Sequence, residues 1–204
     1  MASEGIRMPI QIRAAADRDY AEDDDAAVIG RSRNEPEVFE IVFRRYADQI
    51  QRYVARRIGA DAADDVVAET FLLAFRQRGT YDLTYSCARP WLYGIATNLI
   101  ARHRRTEVRQ YRALARAGID EVAESFADRV DAAVSAGAVN RRLGAALAAL
   151  PAGQRDALLL VAWGGLSQSE AAAALRVPAG TVRSRITRAR GKLRRSLGDI
   201  DPSA

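Results

Sequence analysis

The chain has very little of the side-chain chemistry that disulfides and most metal sites need. Its 204 residues include one cysteine, Cys87, and one histidine, His103. A single cysteine excludes a disulfide within the chain, and these two side chains fall short of the four ligands of a usual zinc site. We therefore expect no metal and no cofactor.

Long apolar runs are also scarce. The longest one near the C-terminal end, Ala157–Trp163, is far shorter than the roughly 20 residues that cross a bilayer. The N-terminus has no signal-peptide pattern. These absences predict a cytoplasmic protein.

Lysine is almost absent, because Lys192 is the single lysine among 31 basic residues. The positive charge is therefore almost all guanidinium, which binds phosphate well. The net charge of +5 is unevenly distributed: residues 89–118 carry +6 and residues 135–204 carry +7, while residues 119–134 carry −4. Two basic blocks separated by an acidic spacer predict two separate contacts with a polyanion.

The usual signatures of an enzyme are missing as well. The sequence has no glycine-rich phosphate loop, no histidine placed to activate a nucleophile, and no cluster of carboxylates beyond the surface pair Asp64 and Asp65. We therefore expect no catalytic residues in this chain.

What the chain does contain is a helix-turn-helix pattern near its C-terminus. Ser167 and Glu170 have the spacing of a capping box, which starts a helix. The alanines of Ala171–Ala174 allow a second helix to approach closely. Val177–Gly180 supplies a break through its proline and glycine. A second helix is expected to start near Thr181.

The second helix has one apolar stripe and one basic face. At about 100° per residue its apolar side chains fall on a single line; they are Val182, Ile186, Ala189, Leu193 and Leu197. Hydroxyls and guanidiniums occupy the rest, and such groups read base edges and phosphates in a major groove. The predicted DNA contacts are Arg183, Ser184, Thr187 and Arg188, with Arg190 and Arg194 for phosphates.

Helical periodicity also fills the N-terminal half, with predicted helices over 34–59, 61–79 and 90–112. The last of these carries Trp91 and Asn98 and then a row of arginines, Arg102, Arg105, Arg109 and Arg112, spaced for one helix face. The loop before it holds Tyr81 and Tyr85. Aromatic rings beside a basic row suit a single strand with unstacked bases, although tyrosines in a loop often pack on their own domain instead.

The predicted fold is all-α, with two helical domains joined by a flexible linker. Residues 1–33 are expected to form a mobile acidic tail, 34–112 the first domain, 113–138 the linker, 139–198 the second domain and 199–204 a short tail.

Two long runs carry a resemblance to a known family. The sequence from Ala146 to Leu197, with GTVRSRITRAR at its core, resembles region 4 of bacterial RNA polymerase sigma factors of the extracytoplasmic-function group, within the sigma-70 family. ADDVVAETFLLAFR and RPWLYGIATNLIARHRR resemble region 2 of the same proteins. Both runs occur in the family's order, with a linker of suitable length between them.

The resemblance implies a transcription initiation factor that binds core RNA polymerase and directs it to promoters. Region 4 would read the −35 element with the residues already named and would contact the polymerase flap. Region 2 would read and help to open the −10 element with Tyr81, Tyr85, Trp91, Asn98, Arg102, Arg105 and Arg109. Asp65, Glu69 and Leu72 match positions that bind the clamp helices of the largest polymerase subunit. Members of the family are also partners of anti-sigma proteins.

One alternative assignment uses the same C-terminal pattern. A stand-alone LuxR-like regulator also ends in a helix-turn-helix, but it needs an N-terminal receiver or ligand-binding domain. The WLYGIATN run and the arginine row argue against such a domain.

Overall fold

The structure, a computed structural model, describes residues 24–115 and 142–197. All regular secondary structure within these two ranges is helical, which confirms the all-α prediction. No helix in the described ranges is both long and apolar enough to cross a bilayer.

The N-terminal unit, residues 24–115, contains five α-helices and two short 3-10 helices. In chain order they are α1 (Asp25–Arg31), a 3-10 helix (Pro36–Phe39), α2 (Glu40–Ile58), α3 (Ala63–Gln77), a 3-10 turn (Arg78–Thr80), α4 (Arg89–Arg102) and α5 (Arg104–Leu114). The predicted helices over 34–59 and 61–79 are present, although α2 proper begins at Glu40 because Pro36 opens a 3-10 turn instead.

The core of this unit forms where α2, α3 and α4 pack together. Val42, Ile50 and Val54 recur at helical spacing along α2 and are fully buried. α3 contributes Val66 and Ala74, and the apolar face of α4 closes the cluster. This packing fixes α4, the helix that carries Trp91 and Asn98.

The expectation of a mobile tail through residue 33 is corrected for its last ten residues. Asp24 accepts a hydrogen bond from the backbone nitrogen of Ala27 at 2.8 Å and so starts α1. Val28 and Ile29 are 0% exposed and belong to the core. The acidic residues 23–25 are typical of a solvated segment. The segment is nevertheless folded, because Val28 and Ile29 pack their apolar side chains into the core. Residues 1–23 lie outside the described ranges.

The third predicted helix is interrupted. α4 ends and α5 begins around His103, whose backbone (φ −90°, ψ 21°) leaves the helical region. α5 extends to Leu114, two residues into the predicted linker 113–138; the rest of that linker lies outside the described residues.

The C-terminal unit, residues 142–197, contains four helices. They are α6 (142–149), α7 (Ala152–Ala162), α8 (Gln168–Leu175) and α9 (Ala179–Leu197). The Ser167–Glu170 capping box starts α8 as the sequence predicts, and α9 begins at Ala179, two residues before the expected start. The predicted tail 199–204 is outside the described ranges.

The two units pack directly on each other. α8 lies against α4, and the end of α5 lies against α6. The ring of Tyr111 on α5 lies 6.3 Å from the ring of Trp163, measured between centroids. This arrangement places the helix-turn-helix beside the helix that carries the region-2 candidates.

Candidate nucleic-acid interface

The C-terminal candidate surface is the outer face of α9. Val182 and Ala189 are fully buried and Ile186 is nearly so, and they pack toward α7 and α8. The helical period therefore turns the opposite side to solvent. The exposed predicted contacts are Arg183, Thr187, Arg188, Arg190 and Arg194. The half-buried Ser184 hydroxyl donates a 3.0 Å hydrogen bond to the Thr181 carbonyl, and its oxygen is still able to accept one.

The turn that presents α9 is set by backbone geometry. Arg176 ends α8 in the left-handed conformation, with φ 51° and ψ 47°. It is the only residue other than glycine with positive φ among the described residues. Its amide donates to the carbonyls of Ala172 and Ala173 and closes the last turn of α8. The fixed turn sets the angle between α8 and α9.

The N-terminal candidates lie around α4. Asn98 is exposed and Trp91 is half-buried, and together with Arg102 they line a cleft of about 260 Å³. Tyr85, in the loop before α4, is 58% exposed. The structure thus brings an amide, an indole and a guanidinium together in one cleft, and an exposed aromatic ring lies in the loop before α4. Hydrogen-bonding and stacking groups of these kinds hold unstacked bases in nucleic-acid-binding proteins.

Tyr81 is placed differently from the other region-2 candidates. It is 7% exposed, its ring lies 4.9 Å from that of Trp91, and its hydroxyl donates to the Tyr85 carbonyl at 2.7 Å. Burial raises the pKa of the Tyr81 hydroxyl, which remains a hydrogen-bond donor. Tyr81 therefore supports Trp91 and the loop instead of offering a ring to solvent.

The arginine row keeps a common surface despite the break at His103. Arg102, Arg105, Arg109 and Arg112 all line one open groove of about 970 Å³ along α5. The exposed Arg102 also forms a 3.0 Å ion pair with Glu69 of α3. A groove lined by guanidiniums attracts a phosphate backbone by charge alone.

The proposed polymerase contacts lie on one face of α3. Asp65, Glu69 and Leu72 follow each other at helical spacing, and Leu72 is 47% exposed. A second apolar side chain, Phe43 of α2, is 45% exposed. Its ring forms an edge-to-face contact with the ring of Phe71, with 4.8 Å between the two centroids. An exposed apolar side chain with polar residues beside it fits the apolar centre and polar rim of a protein contact surface.

Four charged side chains that sequence reasoning missed meet between the two units. Glu107 of α5 accepts hydrogen bonds from Arg57 Nε at 2.7 Å and from Arg155 Nη1 at 2.9 Å. Arg57 also donates to Asp156 at 2.6 Å. Arg57, Glu107 and Arg155 are at most 3% exposed, so each charge depends on its partners. The signal was that Glu107 is the single acid within the basic block 89–118.

The contact between the two units, which we call the seam, also borders the cleft beside Asn98. Ala173, Ala174 and Arg176 of the helix-turn-helix form one wall of that cleft. Gly94 of α4 lies so close to α8 that an added Cβ would stand 2.6 Å from the Ala174 carbonyl oxygen. The C-terminal unit therefore lies over the N-terminal candidate surface.

Comparison with known proteins accounts for both units. A family model described as Sigma-70 region 2 matches residues 42–110, and one described as Sigma-70, region 4 matches residues 134–193. The ECF RNA polymerase sigma factor SigC of Mycobacterium tuberculosis is 32% identical over 191 residues, which cover 89% of this chain and 95% of SigC.

Solved structures agree in fold across both units. CnrH, solved in complex with the cytosolic domain of CnrY, matches with a TM-score of 0.58 and 26% identity over 85% of this chain and 96% of that one. The sigma factor RpoE of Bartonella quintana, solved in complex with the anti-sigma factor NepR, matches with a TM-score of 0.53 and 25% identity over 80% of this chain and 98% of that one.

These matches decide between the two assignments that the helix-turn-helix allowed. A LuxR-like regulator would share region 4 alone, whereas region 2 is matched here as well, in the family's order. The chain belongs to the sigma-70 family of RNA polymerase sigma factors, in its extracytoplasmic-function group.

Proposed function

We propose that this sigma factor reads the −35 promoter element with the outer face of α9. The observation that carries the proposal is the division of that helix into a buried stripe and an exposed basic face. Arg183, Ser184, Thr187 and Arg188 would reach base edges near the start of the helix, and Arg190 and Arg194 would bind phosphates farther along. Arginine pairs with guanine O6 and N7, and hydroxyls pair with several base edges.

For the −10 element we propose two cooperating surfaces on the N-terminal unit. Asn98, Trp91 and Tyr85 would hold an unstacked base at the cleft beside α4. Arg102, Arg105 and Arg109 would hold the backbone along the groove of α5. Unstacking a base costs a few kcal/mol, which a preformed pocket offsets. The buried Tyr81 supports this site from behind.

The proposed polymerase contact is the face of α3 with Asp65, Glu69 and Leu72, directed at the clamp helices of the largest subunit, while region 4 meets the flap. An anti-sigma protein is a further proposed partner, since both structural neighbours were solved with protein partners and one of these is described as an anti-sigma factor. Catalysis would belong to the polymerase, so the chain itself is not an enzyme, and it would act in the cytoplasm beside the chromosome.

Run-off transcription tests the function as a whole. Purified core polymerase from a related bacterium is incubated with a pool of genomic promoter fragments, with and without this protein. Discrete new transcripts that share two upstream elements are expected. Absence of transcripts together with failure to co-elute with core polymerase would contradict the proposal.

A point variant tests the −35 face. Arg188→Ala should weaken promoter-specific binding of the holoenzyme by about 1–3 kcal/mol, because a base-edge contact is lost. Affinity for core polymerase should not change. Arg56→Ala, which removes the same charge from an exposed site on α2, serves as the control. Equal losses from both variants would show that only net charge matters.

A further inference from the structure

The loop that leads into α4, residues 81–89 with the first residue of that helix included, is held at both ends by residues 24–33. These residues precede the region-2 match, which begins at residue 42. They therefore contribute contacts that the matched region lacks. We call residues 81–89 the −10 loop, following the function proposed above.

Asp25 lies at the C-terminal end of this loop. The residue is 4% exposed, and its side chain accepts three hydrogen bonds: from the backbone amide of Ala88 at 2.7 Å, from the Tyr46 hydroxyl at 2.5 Å and from Arg45 Nη1 at 2.8 Å. The Asp25 amide in turn donates to the Ser86 carbonyl at 3.0 Å. One buried residue thus joins α1, α2 and the residue that immediately precedes α4.

The donors around Asp25 are suited to a carboxylate. Burial, followed by the hydrogen bond to Asp25, raises the pKa of Tyr46, so its hydroxyl keeps its proton and donates. An amide N–H and a guanidinium are also donors only. Three donors converging on one buried group require an acceptor with two oxygens, which an aspartate supplies and an asparagine does not.

Other residues of the same segment fix the opposite end of the loop. Arg33 Nη2 donates to the Tyr81 carbonyl at 2.9 Å, and Arg78 Nε donates to the Ser32 carbonyl at 3.0 Å. Between the two ends, Leu83 lies over Gly30, whose added Cβ would be 3.5 Å from a Leu83 methyl. The span that carries Tyr85 is therefore anchored on both sides.

We propose that Asp25 is a positioning residue for promoter recognition: it anchors the −10 loop against α1 and α2 so that Tyr85, Trp91 and Asn98 keep one relative geometry. The inference rests on the proposed role of this loop at the −10 element. Base contacts give specificity only when the groups that make them are held in place. Asp25 is buried beneath the surface and acts through the loop.

The test compares Asp25→Asn with Asp24→Asn in the full chain. Both remove one negative charge from neighbouring positions, but Asp24 is exposed, and asparagine caps a helix as well as aspartate does. Amide hydrogen exchange of a peptide covering residues 81–92 is expected to quicken in Asp25→Asn and to stay unchanged in Asp24→Asn. Exchange in α3, which belongs to the same unit as Asp25, reports whether that unit has kept its fold.

The functional readout is the ratio of holoenzyme affinities for the native and the altered −10 element. This ratio does not depend on the fraction of active protein. Holoenzyme binding is measured on promoters recovered by run-off transcription, with the native −10 element and with single-base changes in it. Asp25→Asn should reduce the preference for the native base by roughly five-fold or more, the size of effect expected when one hydrogen-bonded anchor is lost. Affinity for core polymerase should be unchanged.

The outcomes separate the inference from the proposed function. A wild-type holoenzyme without base preference at −10 would refute the loop assignment, and the inference with it. If the wild type discriminates, then unchanged loop exchange or an unchanged ratio in Asp25→Asn overturns the role of Asp25 alone. Faster exchange together with a reduced ratio supports it.

Discussion

Arg176 carries backbone strain at the turn of the helix-turn-helix. Its φ of 51° lies in the left-handed region, which costs an ordinary residue about 1 kcal/mol or more and costs glycine almost nothing.

Replacing Arg176 with glycine should therefore stabilise the chain. Arg176→Gly is expected to raise the free energy of unfolding by about 0.5–1 kcal/mol, because relief of strain exceeds the extra freedom of glycine in the unfolded chain. Urea denaturation measures this. Arg176→Ala removes the same guanidinium but keeps the Cβ, so a gain of equal size in that variant would attribute the effect to charge instead of backbone.

At the level of the helix, the capping box of α8 gives a pH-dependent contribution to stability. The Ser167 amide donates to Glu170 at 2.7 Å, and the Glu170 amide donates to Ser167 Oγ at 3.2 Å. The hydrogen bond from the Ser167 amide, followed by the interaction with the Ser167 side chain, lowers the pKa of Glu170 below its ordinary value of 4.5. The stabilisation is thus present above about pH 4.5 and is lost as the pH falls through the lower, folded-state pKa.

Two substitutions separate the parts of this box. Ser167→Ala should lower the free energy of unfolding by about 1 kcal/mol at pH 7. Glu170→Gln should cost a few tenths of a kcal/mol at pH 7, because the helix N-terminus favours a negative charge, and this difference from wild type should shrink as the pH falls below 4.5. Denaturant titrations between pH 7 and 4 measure both; a difference that widens on acidification would contradict the assigned pKa shift.

The sequence predicts those elements whose signals are local. Ser167 and Glu170 identify the start of α8 because a capping box needs only four residues, and the stripe along α9 follows from one helical period. The helix that precedes Arg33 is missed because its evidence is tertiary: Asp25 reads as part of an acidic run until Tyr46 and Ala88 are seen around it. The break at His103 could not be predicted from the sequence either, because no proline or glycine lies beside it.

At the scale of the whole molecule, the packing of the two units on each other could not be predicted from the sequence either, because it depends on tertiary contacts. Glu107 and Arg155 are 48 residues apart and form a buried pair only when α5 meets α7. Gly94 reads as an ordinary small residue in a helix until Ala174 is placed against it. The C-terminal unit forms one wall of the cleft beside Asn98, so opening the seam would widen the access of a single strand to the site proposed there.

Gly94→Ala should open the seam without unfolding either unit. The added methyl would stand 2.6 Å from the Ala174 carbonyl oxygen, a distance that forces the backbones of α4 and α8 apart. Within α4 itself alanine is favoured over glycine by about 1 kcal/mol, so the helix gains stability while the contact is lost.

Small-angle scattering should show a larger radius of gyration, with helicity by circular dichroism unchanged. Gly79→Ala, whose Cβ would meet nothing within 4 Å, is the control and should scatter like the wild type. A Gly94→Ala chain that scatters like the wild type would contradict the close contact between α4 and α8 in solution.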